Sequence, residues 1–395
     1  MTSQPQVVYV LVAKQPLTAD PAAAFPWPDA EIVVVAAAGM EAVLREDVES
    51  AVPVRHVPHA EWRAWIEADA AGRVTQVVTN DEYCLEDCAA LRAAFGLVPR
   101  HPARLANYLD KVAMKQALNA GGVATAGFLA FDQVRVDADL AGQAVKELGL
   151  PLVAKPRQEA NSRGVEVLRD LDQLLDWQRR RAGEAGWHWE EFLEGRQFHA
   201  NAIVREGDVE HVQVGRYVGP LLGFGQGQRV GSSTLPPDGP EAVTGRRLNE
   251  AAVAALGGEG SFVVHTEYVQ RPDGTPVVLE VAARAPGALV AEASRLHAGV
   301  NLEQANLALQ AGAPVGRPAP TGYAAAWLWV PVMPGEMFGA GPSFTGESLV
   351  QIKRSGRERN LGDSGRFGAS VLLWSRDAET VEADLELAEN WDWTR

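Results

Sequence analysis

Cysteine is nearly absent: 395 residues hold two, Cys84 and Cys88. Two thiols cannot build a disulfide framework, and no zinc spacing completes them. In YCLEDCAALRAAFGL they fall on a helix whose stripe includes Leu85, Cys88, Leu91 and Phe95, so they read as buried free thiols of a reducing cytoplasm. Positive charge is also scarce. Lys and Arg number 36 against 51 Asp and Glu, a formal net charge of -15. That excludes a general nucleic-acid binder and a protein that coats anionic membranes, both of which need a basic footprint. No apolar run reaches the roughly 18 residues of a membrane span, and the first residues carry no basic segment followed by a long apolar one. A soluble cytoplasmic protein is expected. Several catalytic motifs are missing as well: there is no G-x-x-x-x-G-K-[ST], no HExxH, no G-x-S-x-G and no Gly-rich turn after the first strand. GFGQGQRVG has glycines without the frame or the strand-to-helix context of a dinucleotide loop.

What is present is an α/β chain, 47% hydrophobic and long enough for two or three domains. VVYVLVA and EIVVVAAA are continuous apolar runs, the mark of parallel strands buried on both faces. EWRAWIEADAAG reads as a helix with Trp62, Trp65 and Ile66 as its apolar stripe, and VTQVVTNDEY as a further strand. Residues 1–103 are therefore expected to form an open parallel α/β sheet. Asp110 can N-cap a helix from Lys111 to Asn119 that ends at Gly121. Lys111 then sits in the first helical turn, where the macrodipole disfavours a cation. It is either drawn there by an anionic ligand or simply solvated. GLPLVAKPRQEANSRGV reads as a buried strand ending at Lys155, followed by a turn-rich loop in which Ser162 and Gly164 could present backbone N–H groups to a phosphate. HWEEFLEGRQFHANAIVREGDVEHVQVGRYVG reads as strand, turn at Gly207-Asp208 and strand. A helix at 240–257, a Pro/Gly-rich connection at 311–322, strands in YAAAWLWVPVM and GASVLLWS, and a final acidic helix complete the chain.

Two strands near residue 270 carry the most chemistry. FVVHTEYVQ and VVLEVAARAPG flank RPDGTP, and Asp-Gly predicts a two-residue type I′ hairpin. With Asp273 and Gly274 at the centre, Glu267 faces Glu280, His265 faces Ala282 and Val263 faces Arg284. Like charges opposed across strands destabilise, so without a cation between them one carboxylate is expected to take up a proton. Paired carboxylates suit Mg²⁺, which fills its remaining positions with water and phosphate oxygens.

In that order these segments resemble the ATP-grasp superfamily, over roughly residues 1–320. DKVAMKQALNAGGVATAGF is similar to the family's helix entering the lid, LPLVAKPRQEANSRGV to its lid strand and phosphate loop, WEEFLEG to its hinge, and HTEYVQRPDGTPVVLEVAAR to its metal segment. The HTE…DG…LE…R run and the extra C-terminal lobe look most like L-amino-acid ligases and other carboxylate–amine ligases. The resemblance implies an α/β (α+β) ATP-grasp fold with an N-terminal parallel-sheet domain at 1–103. An ATP-grasp domain at 104–316 would hold a small lid at about 122–192 and an antiparallel-sheet C-terminal half, with a C-terminal lobe at 317–395. It implies Lys111 and Lys155 on the nucleotide phosphates beside Ser162 and Gly164, and Glu190, Glu191, Phe192 and Leu193 around adenine and ribose. Glu267 and Glu280 would hold Mg²⁺, with Mn²⁺ as a substitute, and Arg284 would act at the transferring phosphate. It further implies ATP-driven ligation of a small carboxylate to an amine through an acyl phosphate, no nucleic-acid or membrane partner, and room for a homodimer. Two other readings stand beside it: a bicarbonate- or formate-activating carboxylase or transferase, and a nucleotide binder without catalysis. The family often reads E-x-N-x-R at the second glutamate, where the Asn binds a second ion; here Ala282 replaces it. His265 opposite is either a substitute ligand or a buried, hydrogen-bonded histidine. Tyr217, Phe224 and Arg229 suit a pocket lining, a loop or a core equally well.

Overall fold

The computed structural model describes residues 5–40, 44, 52–73, 75–219, 221–222, 227–332, 336–352 and 367–394. Phe224 lies outside them. The fold is α/β, and it begins with a parallel sheet ordered β3-β2-β1-β4: β1 (Val7–Val12), β2 (Glu31–Ala37), β3 (Val54–Val57) and β4 (Thr75–Thr79). All six residues of β1 are buried, because both faces are covered. Val7, Tyr9 and Leu11 pack under helices α1 (Trp62–Ala70) and α2 (Leu85–Ala94), with Trp62, Ile66, Cys84 and Cys88. Both cysteines are free and buried, as expected. Val8, Val10 and Val12 pack on the other side against Leu307 and Ala311, which come from far along the chain.

Helix α3 (Lys111–Ala120) leads into a small antiparallel sheet ordered β5-β8-β6-β7: β5 (Phe128–Ala130), β6 (Leu152–Pro156), β7 (Glu166–Leu168) and β8 (Trp187–Glu191). Helices α4 (Ala138–Leu148) and α5 (Leu171–Arg180) close it over a core of Trp177, Trp187 and Trp189. The rest of the chain builds one antiparallel sheet ordered β13-β12-β9-β10-β11-β14-β16-β15. Its strands are β9 (Arg196–Arg205), β10 (Asp208–Val218), β11 (Val230–Thr234), β12 (Phe262–Gln270), β13 (Pro276–Ala282), β14 (Ala324–Pro331), β15 (Glu347–Ile352) and β16 (Phe367–Ser375). The sheet runs without a break into strands from beyond residue 317, through the pairing of β11 with β14. Helix α6 (Pro240–Leu256) packs on one face, and α7 (Val290–Ala298) and α8 (Leu302–Ala311) on the other. Helix α9 (Ala378–Asn390) ends the chain. Among the described residues no helix is long and apolar enough to cross a membrane.

Local details depart from the sequence reading by single residues. The β9–β10 turn centres on Glu206-Gly207, with Asp208 already paired to Arg205. The strands β11 and β15 and the helices α7 and α8 were not expected.

Helix α8 holds the first sheet to the large one. Gln310 accepts from Thr79 N–H at 3.0 Å and donates to Thr79 O at 2.7 Å. Asn306 accepts from Val263 N–H at 2.8 Å and donates to Asn80 Oδ1 at 2.7 Å. Glu303 accepts from Ala19 N–H at 2.7 Å and from Thr18 N–H at 3.0 Å. These are buried polar groups, and losing one partner leaves the other unsatisfied. Gln310→Ala strands Thr79 N–H and leaves the Thr79 carbonyl only the longer contact from Asn306 Nδ2, at 3.4 Å, so it is expected to lower stability by about 1–3 kcal/mol in chemical denaturation.

Candidate active site

Helix α3 is bonded at its start both to the chain beyond β6 and to β13 of the large sheet. Asp110 caps this helix, accepting from Val112 N–H at 2.9 Å and Ala113 N–H at 3.1 Å. The same carboxylate pairs with Arg157 Nη2 at 2.7 Å, and Lys111 N–H donates to Arg157 O at 3.0 Å. The helix start is thereby fixed to the chain just beyond Lys155. Lys111 is buried, at 5% exposure, so the solvated alternative fails. Its ammonium donates to Glu159 O at 2.6 Å and pairs with Glu280 Oε1 at 3.0 Å. Burial would lower its pKa; Glu280 and Glu82 more than offset that and keep it charged.

Lys155 is the penultimate residue of β6, which ends one residue later than expected, and its ammonium lies 2.9 Å from Glu190 Oε2. Glu190 is buried and has further partners: Lys115 at 3.2 Å and His188 Nε2 at 2.7 Å, both on Oε1. Burial would raise its pKa, yet the two ammoniums hold it well below the usual carboxylate range. The side chain of Glu190 thus organises cations. Glu191 is committed to Arg271, at 2.8 and 2.9 Å, and to Gly127 N–H at 3.2 Å. Phe192 and Leu193 follow in irregular chain and are half-buried.

The loop after β6 places Asn161, Ser162 and Gly164 in the left-handed region, with Ser162 and Gly164 exposed at its tip. It is clasped from the first sheet's side: Tyr83 O–H donates to Glu159 Oε2 at 2.6 Å, and Ala160 N–H donates back to the Tyr83 oxygen at 3.1 Å.

The hairpin brings Glu267 opposite Glu280 and His265 opposite Ala282, as expected, but by a different route. Only Gly274 of the Asp-Gly pair has positive φ, at 89°, which excludes a type I′ turn. Arg271 pairs with Thr275, so the loop holds three residues, Pro272, Asp273 and Gly274. This shifts the register by one: Tyr268 faces Val278 and Gln270 faces Pro276. A β-bulge at Leu279 then shifts it back before Glu280. The expected pairing of Val263 with Arg284 does not form, since β13 ends at Ala282.

The two carboxylates are held apart by separate partners. Glu280 has Lys111. Glu267 Oε1 accepts from Tyr217 O–H at 3.0 Å and lies 3.3 Å from His265 Nε2. Burial would raise the Glu267 pKa, but His265, Tyr217 and Arg284 hold it down to about 2. His265 is a buried, hydrogen-bonded histidine, with Nδ1 2.7 Å from Asn201 Oδ1. The chain continues from Asn201 Nδ2 to His199 Nδ1, 2.9 Å, and from His199 Nε2 to Ser232 Oγ, 2.9 Å. Gly215 makes room for it, since a Cβ there would lie 2.4 Å from His199 Nε2. Burial, aided by His265, lowers the His199 pKa to about 3, so its ring is neutral.

Arg284 is partly buried, with its Nε 2.9 Å from Glu82 Oε2, and also donates to Ala285 O. Arg229 is no pocket residue: it donates to the carbonyls of Glu389 and, at 2.7 Å, Trp391, closing the end of α9. Sequence reasoning missed Lys115, Glu82 and His188. Lys115 stands four residues after Lys111, on the same helical face, and that spacing was a readable signal. Glu82 follows a parallel strand at its C-terminal end, where open α/β sheets form ligand crevices.

The facing glutamates fit a hard divalent cation. They are oxygen donors, and Glu267 is ionised at neutral pH. Among the described residues no cluster of three or more His, Cys, Asp or Glu side chains forms a metal cage, so such an ion would share its coordination with water and a ligand's oxygens.

No protein-family profile matches the chain. It is similar to an L-arginine-specific L-amino acid ligase of Bacillus subtilis, 25% identical over 232 residues, covering 56% of this chain and 54% of the relative. The chain spans about half the length of the curated relatives it matches. Its fold is that of an L-amino acid ligase from Bacillus licheniformis, with a TM-score of 0.68 and 20% identity over 98% of both chains. It is equally that of an N5-carboxyaminoimidazole ribonucleotide synthetase solved as its ADP complex, with a TM-score of 0.74 and 15% identity over 100% of both.

Because Glu280 neutralises a buried lysine, Glu280→Gln is expected to destabilise the ligand-free protein by about 1–3 kcal/mol, the cost of leaving Lys111 without its counter-charge. A melting curve in the presence of a chelator reads this directly; a variant at least as stable as the parent would mean that repulsion between the glutamates dominates.

Proposed function

The chain is a member of the ATP-grasp superfamily, and from that premise we propose that it is an ATP-dependent carboxylate–amine ligase that forms an amide or peptide bond and releases ADP and phosphate. The observation that carries this reading is the convergence of Lys111, Glu267, Glu280 and Arg284, with Lys155 across the cleft on the lid strand. The likeness to L-amino acid ligases supports an amine as the second substrate.

In this reading Lys111 and Lys155 meet the nucleotide phosphates, exchanging part of their hold on Glu280 and Glu190 for phosphate oxygens. The left-handed turn at Ser162 and Gly164 covers the phosphates with backbone N–H groups. The chain at Glu190–Leu193 receives adenine and ribose through its backbone, the Glu190 and Glu191 side chains being engaged elsewhere. Glu267 and Glu280 would hold Mg²⁺, for which Mn²⁺ could substitute, and the ion would supply neutralisation of phosphate charge. Ala282 offers no oxygen for a second ion. A carboxylate oxygen attacks the γ-phosphorus and the bond to ADP breaks. Arg284 stabilises the charge on the transferred group. The amine then adds to the acyl carbon, loses a proton, and phosphate leaves. Residues of about 122–192 act as a lid that excludes water from the acyl phosphate.

The test is phosphate release with MgATP across pairs of amino acids and simple amines, with the condensed product identified by mass spectrometry. Lys155→Ala is expected to fold normally, to weaken ATP binding at least tenfold and to abolish turnover. ATP hydrolysis that depends on bicarbonate or formate and needs no amine would replace this reading with an acid-activating carboxylase or transferase. Nucleotide binding without turnover under any condition would leave a binding protein.

A further inference from the structure

Lys115 has no part in the scheme above, yet it is 1% exposed at the centre of the site. Its ammonium contacts two things, Glu190 Oε1 at 3.2 Å and the carbonyl oxygen of Leu279 at 3.4 Å. Leu279 is the extra residue of the bulge that sets the Glu267–Glu280 pairing. We infer that Lys115 is a positioning residue: it balances the charge of Glu190 so that Lys155 is free to turn toward a nucleotide phosphate, and it pins the bulge that carries Glu280.

The argument rests on charge and burial. Glu190 is fully enclosed, and a buried carboxylate without a partner costs several kcal/mol. Lys155, partly exposed, can leave Glu190 for a ligand only if another cation stays behind. Lys115 is too deep to follow; burial lowers its pKa, and the Glu190 carboxylate beside it favours the charged form. His188 does not replace it: burial lowers its pKa, so at neutral pH it is a hydrogen-bond partner without charge. The second contact is equally specific. Within the bulge, Val281 N–H points at Met114 Sδ at 3.2 Å, and Lys115 takes the Leu279 carbonyl. Adjacent residues of α3 therefore serve the two backbone groups flanking Glu280. One ammonium links the support of the phosphate lysine on the lid strand to the strand bearing the acidic pair.

The inference depends on the reading that Lys155 meets a phosphate, so Lys155→Ala is included as a control. The probe is ADP, titrated calorimetrically into the full chain without divalent metal, so that the acidic pair does not enter. The proteins are the parent, Lys115→Met, Glu190→Gln, the double variant and Lys155→Ala. Lys115→Met is expected to weaken ADP binding at least tenfold in the parent background, and by less than twofold when Glu190 is already Gln. Equal weakening in both backgrounds would show that Lys115 attracts the nucleotide by its own charge, and would overturn the inference. So would no effect in either. If Lys115→Met does not fold, the Glu190→Gln protein and the double variant still decide. Both lack the buried carboxylate, and a tenfold difference between them contradicts the balancing role. An unchanged affinity in Lys155→Ala would instead remove the site reading itself.

Discussion

One extra residue in β13 arranges the site. The bulge at Leu279 returns the hairpin to the register in which Glu280 faces Glu267, and it lets Val278 and Val281, three positions apart, enter the same hydrophobic core. A regular strand would send two such residues to opposite faces. The bulge is held by α3, whose Lys111, Met114 and Lys115 contact Glu280, the Val281 amide and the Leu279 carbonyl in turn. The spacing of these three positions is that of one helical face. Both the acidic pair and the lysines around it depend on how this helix sits against this strand.

The charges in the cleft come as partners. Lys111 stands with Glu280, Lys155 and Lys115 with Glu190, Arg284 with Glu82, and Glu267 with His265 and Tyr217. Breaking any of them without replacement costs more than a surface pair would. A triphosphate with its cation is a suitable replacement, since it brings negative charge to the lysines and positive charge to the glutamates. Donors held in place before the reaction stabilise developing charge without further rearrangement.

The sequence made the large features legible because they rest on local signals. The runs of β1 and β2, the Asp110 cap of α3, the strand carrying Lys155 and the pairing of the two glutamates all followed from periodicity and turn chemistry. The hairpin pairing was right although its tip was misjudged: the three-residue loop and the bulge are each one residue off a regular hairpin, in opposite senses. Nothing in Pro-Asp-Gly alone distinguishes the two loops without the backbone angle at Asp273. The expectation of a proton on the acidic pair considered two strands only, while Lys111 arrives from a helix and Tyr217 from another strand. Glu82 and Lys115 were overlooked for the same reason. Local position marked both, by helical spacing from Lys111 and by the end of a parallel strand, but their partners, Glu190 and Arg284, lie far along the chain.

The central claim is that a carboxylate is activated at this site by transfer of the γ-phosphoryl group before an amine captures it. The most direct measurement supplies a carboxylate substrate labelled with heavy oxygen, together with MgATP and the amine, and analyses the released phosphate by mass spectrometry. The account predicts one labelled oxygen in every phosphate formed, with ADP as the other product. Unlabelled phosphate alongside amide product, or AMP and pyrophosphate in place of ADP and phosphate, would contradict it.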